Sequence, residues 1–327
     1  MQPITAPAAS TNPGPRAARG RWIWILSGIA TIMLLAVFGS WAFVRAQSIP
    51  DVQVISAVPT RIVTVTQPVR ALNVQSYGAP IKVTTVPGGP VRVAESITFS
   101  SADGLPAVTD ADSHGLLTLA APACANSDCS VAFAVTVPSG ITVSAVADGG
   151  AVTVVGTGAA NINSGGGPVY AASINGPLTV SGEGGGVTVS GAGATEIDSG
   201  GGPVTATTIR GPLGVTADGG GVQADDVTGT LNVDTGGGPL SATSITSPSA
   251  VVSDEGGGVT LGFTTPPVSV RVTTGGGDAS LSVPGGPYAV AADTGGSAES
   301  VIVATSPDAA RSISVSTDGG NLEIGPA

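Results

Sequence analysis

"GGGPVTATTIRGPLGVTADGGGVQADDVTGTLNVDTGGG", residues 200–238, holds three glycine triplets separated by short β-branched runs and very little charge. Triplets extend well beyond it, beginning at Gly165, Gly184, Gly200, Gly219, Gly236, Gly256 and Gly275, with spacings of 19, 16, 19, 17, 20 and 19 residues. Single glycines run between them at Gly158, Gly176, Gly193, Gly211 and Gly229, spaced by 18, 17, 18 and 18, and Ser247 takes the next place. A period near 18 with two glycine-bearing corners is the pattern of a β-solenoid, whose coils bury their apolar faces only against their neighbours.

The triplets come in two kinds. "GGGPV" at 165 and 200 and "GGGPL" at 236 alternate with "GGGVT" at 184 and 256 and "GGGVQ" at 219. Corners "INGPL" at 174, "IRGPL" at 209 and "ITSPS" at 245 alternate as well. The sequence therefore admits either a coil of about 18 residues or a two-coil unit of about 36. Between corners, Val and Ile recur at alternate places, as in "VTVSG" and "LNVD", which suits short strands filling a narrow interior. Glycine allows positive φ and close stacking of backbones, and proline after Gly176 and Gly211 fixes φ at outward corners. The competing fold is an antiparallel β-meander with each triplet a hairpin turn. A meander does not require two corner types at fixed distances, so the reading is all-β, a solenoid.

Working outward, residues 141–327 form the glycine-rich solenoid, loosening past 280 into a C-terminal cap that ends with "SISVSTDGGNLEI". Residues 61–140 read as a β-rich lead-in, with alternation in "IKVTTV" and "VRVAES". Residues 45–60 are a tether. Before it stands "WIWILSGIATIMLLAVFGSWAFV", residues 22–44, which carries no ionisable side chain. As a helix it spans the roughly 30 Å hydrocarbon layer of a bilayer. Arg16, Arg19 and Arg21 precede it and Arg45 alone closely follows, so positive charge puts the tail 1–21 in the cytoplasm and the remainder outside. A cleaved signal peptide is the alternative, opposed by the length of the apolar run and by Arg45 inside the candidate cleavage stretch "VRAQS". The Pro- and Ala-rich tail is expected to be disordered.

Net charge is −11, only 10% of residues are charged, and Lys82 is the single lysine. Nucleic-acid binding needs a basic face and finds none here. Cys124 and Cys129 bracket "ANSD"; outside the cell such a pair reads as a local disulfide, and two thiols without His or further Cys make a poor zinc set.

Residues 129–156, "CSVAFAVTVPSGITVSAVADGGAVTVVG", the glycine-triplet repeats and the closing "DAARSISVSTDGGNLEI" at 308–324 together resemble the bacterial putative-adhesin β-strand-repeat family, a domain of unknown function. With its N-terminal anchor, the chain is similar to the membrane-anchored actinobacterial form. The resemblance covers roughly residues 60–325 and implies a β-coil domain displayed at the cell surface, without any catalytic pattern. Many rungs here read "GGG" where the family more often has a Gly-small-Gly-Asp turn, which weakens any ligand role for the turn acids.

No chemistry emerges from the motifs. His114, the only histidine, lies in the polar break "ADSHG" and reads as an exposed loop residue. No phosphate-binding "GxxxxGK[ST]" or dinucleotide "GxGxxG" element occurs, so no cofactor is expected. Asp148, Glu183, Asp198, Asp218, Asp234, Asp254, Glu255, Asp293 and Asp318 cluster near corners; they read as solubilising turn acids, with a weak calcium-holding row as the alternative. Asp225 and Asp226 interrupt "VQADDVTG", but adjacent strand residues face opposite sides, so the pair is not expected to meet one substrate. No catalytic, cofactor or metal residues are assigned. The expected function is a non-enzymatic structural or adhesin-like surface module, whose partners are an envelope protein or a cell-wall polymer rather than a small-molecule substrate. A sensor or assembly partner is the alternative, and a polysaccharide-acting enzyme the weakest.

Overall fold

A computed structural model describes residues 55–57, 60–100, 109–121 and 130–327. The tail 1–21, the segment 22–44, most of the tether and the Cys124–Cys129 pair lie outside the described residues. No helix among the described residues is long and apolar enough to cross a membrane.

The described residues build an all-β, solenoid-like fold from a 15-stranded and a 13-stranded sheet. From Ser130–Pro138 onward, successive strands alternate between the two. Strand Leu178–Gly182 of the smaller sheet leads through a glycine-triplet corner to Val187–Ala192 of the larger, and a short corner returns the chain to Thr195–Asp198. Along the repeats every strand pairs with its equivalent one coil later, in parallel. Val152, Val169, Val187, Val204, Val222, Leu240, Val259 and Ala279 are partners in turn, in coils of 17, 18, 17, 18, 18, 19 and 20 residues. Parallel pairing excludes the meander, because hairpins make antiparallel neighbours. One coil is thus the shorter of the two repeat units the sequence admits.

The register also explains why the triplets are unevenly spaced. Gly150, Gly167, Gly185, Gly202, Gly220, Gly238, Gly257 and Gly277 form one column. A Cβ on any of the last seven would lie 1.6 to 2.5 Å from the carbonyl oxygen of the one before. Close approach alone therefore requires glycine here. Before the column comes a residue with positive φ, such as Gly166, Gly201 or Gly219. After it comes Pro168, Gly186, Pro203, Gly221, Pro239 and Gly258 in successive coils. A coil with proline there has glycine at the start of its corner, and a coil with glycine there has Glu183, Asp218 or Glu255 at the start. The triplet therefore slides by one residue between coils, and spacings of 19 and 16 arise from a backbone that steps by 18 and 17.

Valine, isoleucine and leucine fill a single interior. Its columns include Val169, Val187 and Val204 on one sheet and Val180, Ile197 and Val215 on the other, all nearly inaccessible. Each such side chain contributes on the order of 1.5–3 kcal/mol by leaving water. Where the smaller sheet enters the triplet corner, buried hydroxyls satisfy the turn. Ser164 donates to Gly167 O at 2.6 Å, Ser199 to Gly202 O at 2.9 Å and Thr274 to Gly277 O at 2.7 Å.

Both chain ends of the stack are stitched inside it. Ala71–Tyr77 lies between Leu116–Ala120 and Thr142–Asp148, and Ile81–Val86 between Ser130–Pro138 and Val152–Val155. Beyond that outer coil, Val91–Ser100 pairs antiparallel with Ser130–Pro138, and Thr109–Ser113 with Leu116–Ala120. At the other end Ser312–Ser316 sits between Ser269–Thr274 and Ala289–Asp293, and Leu322–Pro326 between Ala279–Val283 and Glu299–Val301. The loosened period past 280 is a whole coil, 289–301, placed outside the last strands of the chain.

Candidate functional site

Of the residues singled out by sequence, His114 lies exposed in the turn between Thr109–Ser113 and Leu116–Ala120, with a φ of 52°. The corner acids form a ridge rather than a nest. Gly165, Gly200, Gly236 and Gly275 stack on Asp148, Glu183, Asp218 and Glu255, so carboxylates in this column stand two coils apart, about 9.5 Å. Asp198 and Asp234 are likewise separated by Thr216 in the column beside it. Such spacing holds like charges apart, and among the described residues no three His, Cys, Asp or Glu side chains are grouped to hold a metal. Asp254 is the exception in setting: it is buried, and its Oδ1 accepts the Gly256 and Gly257 N–H groups at 2.8 and 2.6 Å.

Asp225 and Asp226 do not obey strand alternation. Asp226 has a φ of 56°, and Ala224 and Val227 on either side are both buried, so the two carboxylates face outward together. The same left-handed residue recurs in the column as Gly156, Ser173, Gly191, Thr208 and Ser244, a stacked bulge running through six coils with Asp226. A three-residue step from one buried residue to the next, Ala206 to Ile209 and Ala224 to Val227, is its trace in the sequence. Asp225 accepts the Thr243 hydroxyl at 2.7 Å, and this bond, with that of Ser244, holds its carboxyl below the ordinary aspartate range. A carboxyl so held is a poor proton donor near neutral pH, which argues against general-acid work by Asp225.

A concave feature among the described residues was not foreseen. A groove of about 1030 Å³ crosses the outer face of the larger sheet over seven strands, beside the triplet corners. Its axis follows the stack. Smaller hollows of about 320 and 380 Å³ continue it toward the N-terminal coils. Along it runs one row of outward residues, each the register partner of the next: Thr153, Tyr170, Thr188, Thr205, Gln223, Ser241, Thr260 and Ser280. The row continues to Glu323 and Ser300 on the strands stitched in at the end. At 4.7–4.9 Å per strand, Thr153 to Ser300 is about 43 Å. The row offers hydroxyl and amide hydrogen-bond donors, almost no charge until Glu323, and one aromatic ring, Tyr170. Sequence reading misses it because each coil contributes a single residue, in most coils an unremarkable Ser or Thr.

Fold and groove together define a class: a two-sheet, parallel β-solenoid-like fold with a lengthwise groove flanked by a hydroxyl row. No family model and no curated protein sequence matches the chain. Two solved structures are similar to it. One is described as a putative cell adhesion protein from Clostridium sporogenes, at 10% identity and a TM-score of 0.24, covering 84% of this chain and 100% of that one. The other is described as a putative adhesin from Parabacteroides distasonis, at 14% identity and a TM-score of 0.31, covering 83% of this chain and 98% of that one.

Proposed function

We propose that this protein is a non-enzymatic, adhesin-like interaction module of the cell surface, held by residues 22–44 as a single-pass anchor with the N-terminus inside. The groove carries the reading. It is open, lengthwise and lined by repeated donors, whereas a catalytic site gathers a few unlike groups at one point. A surface that repeats every coil suits an elongated partner, either an envelope protein or a wall polymer, held by many weak contacts.

The test is retention of the full-length protein on intact envelope, on insoluble cell wall and on solubilised envelope protein. Wild type is compared with a Thr205→Arg, Ser241→Arg, Ser280→Arg variant that fills the groove from exposed or half-buried positions. Retention that the variant loses supports the groove as the binding face. Equal retention by both, or none by wild type, overturns it.

A further inference from the structure

Beside the hydroxyl row the groove has a second periodicity. Pro203, Gly221, Pro239 and Gly258 line its corner side, and Pro168 and Gly186 continue the alternation in the adjoining hollow. A Cβ on Gly186 would lie 3.6 Å from the Pro203 ring, and one on Gly221 would lie 3.6 Å from the Pro239 ring. Each proline therefore walls a notch left by a glycine. Notches recur every two coils, about 9.4–9.8 Å.

Few regular chains keep step with that interval. An extended strand repeats a face every two residues, about 6.6–6.8 Å, and an α-helix turns every 5.4 Å or so. A polyproline II helix repeats every three residues at about 3.1 Å each, or roughly 9.3 Å per turn. It slips by less than about 0.5 Å per notch, so one side chain per turn stays aligned with Gly186, Gly221 and Gly258. Such a helix makes no internal hydrogen bonds and leaves its carbonyls open. The Thr205, Gln223, Ser241, Thr260 and Ser280 side chains supply donors parallel to its axis.

Charge sets the orientation. The lining residues include no Lys or Arg, the stretch from Pro203 to Thr260 is uncharged, and acids appear only at the C-terminal end. There Asp278 is engaged by the Asn321 backbone and side-chain amides, at 2.8 and 3.1 Å, whereas Glu299 and Glu323 are exposed. A cationic residue over that end is favoured and an anionic polymer is disfavoured.

We propose that the groove binds a proline-rich segment of a partner protein in the polyproline II conformation, with one side chain per turn in the glycine notches and a basic end over Glu299 and Glu323. This rests on the groove being the binding face. The probe is a labelled Pro-Pro-Ala repeat peptide about four turns long, carrying Arg at one end or the other. Its binding to the full-length protein is followed by fluorescence anisotropy beside a Gly-Ser peptide of equal length and a neutral glucan oligosaccharide.

The combined variant Gly186→Ala, Gly221→Ala, Gly258→Ala fills the notches. None of these glycines has a positive φ, and the added methyls meet their neighbours at 3.6, 3.6 and 3.7 Å, so the fold is retained. The expected result is saturable binding of the proline peptide that weakens about tenfold in this variant, with an unfolding midpoint at or above that of wild type. Gly221→Ala alone gives a smaller loss in the same direction. Glu299→Gln with Glu323→Gln removes the preference for one Arg position. The proposal is overturned if the proline peptide does not bind, binds no better than Gly-Ser, or is indifferent to the filled notches. Oligosaccharide binding lost on Thr205→Arg, Ser241→Arg, Ser280→Arg, without peptide binding, overturns the peptide while leaving the groove as the binding face. Indifference of envelope retention to those arginines overturns the groove itself.

Discussion

The triplet Gly219-Gly220-Gly221 offers three adjacent, chemically identical sites at which alanine should have three different effects. At Gly220 the new Cβ would stand 2.2 Å from Gly202 O and 2.7 Å from Gly202 C. That is roughly 1 Å short of ordinary contact, and the obstacle is backbone that cannot rotate away. The corner must open against the ladder bond from Val204 N to Gly221 O, which is 2.9 Å long. Overpacking of about 1–3 kcal/mol and weakened ladder bonds at about 1 kcal/mol each give a loss near 3–5 kcal/mol. At Gly219 the Cβ meets only Gly236 O at 4.0 Å, but φ is 97°, so the cost is backbone strain of about 1–2 kcal/mol. At Gly221 the nearest atoms stand at 3.6 Å and φ is not positive. Alanine there narrows the unfolded ensemble and is expected to stabilise by about 0.4–1 kcal/mol.

The assay is urea unfolding of the full-length protein and the three variants, followed by far-UV circular dichroism, with amide exchange at Val204 and Val222 as a local readout. Coil arrays need not unfold in one step, so the ranking is read from midpoints and local protection together. The expected order of damage is Gly220, then Gly219, with Gly221 at or above wild type. The reasoning fails if Gly220→Ala is within about 0.5 kcal/mol of wild type, or if Gly221→Ala costs as much as Gly220→Ala.

Other outcomes follow from single contacts. The Asp225 carboxyl should titrate below the ordinary aspartate range by carbon-13 NMR, and Thr243→Val should raise it; because the folded value is the lower one, its small contribution is present above the unfolded value and fades as pH falls through the folded one. Burial pushes the Tyr288 phenol up, against a smaller opposing pull from Arg311, so in an ultraviolet pH titration it ionises above the ordinary tyrosine range, and its contribution to stability is intact below the unfolded value and lost as pH rises through the folded one. Tyr288→Phe removes the 2.6 Å bond from its hydroxyl to Pro284 O and should cost about 1 kcal/mol in urea unfolding, while leaving the packing intact. Deleting residues 312–327 should strip amide protection from 289–301, whose strand partners among the described residues are Ser312–Ser316 and Leu322–Pro326, while Val187–Val227 stays protected.

The coil and its corners were legible in the sequence because glycine is required there for a local reason that recurs every turn. The single-glycine series was the truer ruler, at 18, 17, 18 and 18, since Gly158, Gly176 and Gly193 each press on the glycine one coil back. The triplets mislead by one residue because acid and proline exchange places around a fixed stacked glycine. The Asp225–Asp226 orientation was misjudged for a related reason. Strand alternation is a rule for extended backbone, and a left-handed residue at 226 suspends it. That conformation is commonest for Gly, Asn and Asp, and the column holds Ser173, Thr208 and Ser244 as well, so residue type alone did not announce it. The stitched ends were not legible at all. A period reports how far the chain travels per coil, and says nothing about which coil a later strand will lie against.

Stitching nonetheless decides what the groove is. Ser280, Glu323 and Ser300 are neighbours in one row although they lie 43 and 23 residues apart along the chain. Without strand Leu322–Pro326 in register, the hydroxyl row would stop at Ser280 and the carboxylates of Glu299 and Glu323 would not stand at its end. The donors come from repetition, since any coil of this pattern places a Ser or Thr there. The charge that makes one end unlike the other comes from the two strands that break the sequential order. A uniform solenoid could hold a polymer at any offset along its length. This one carries a fixed end, so a proline-rich segment bound as proposed would take its register where the repeat is interrupted.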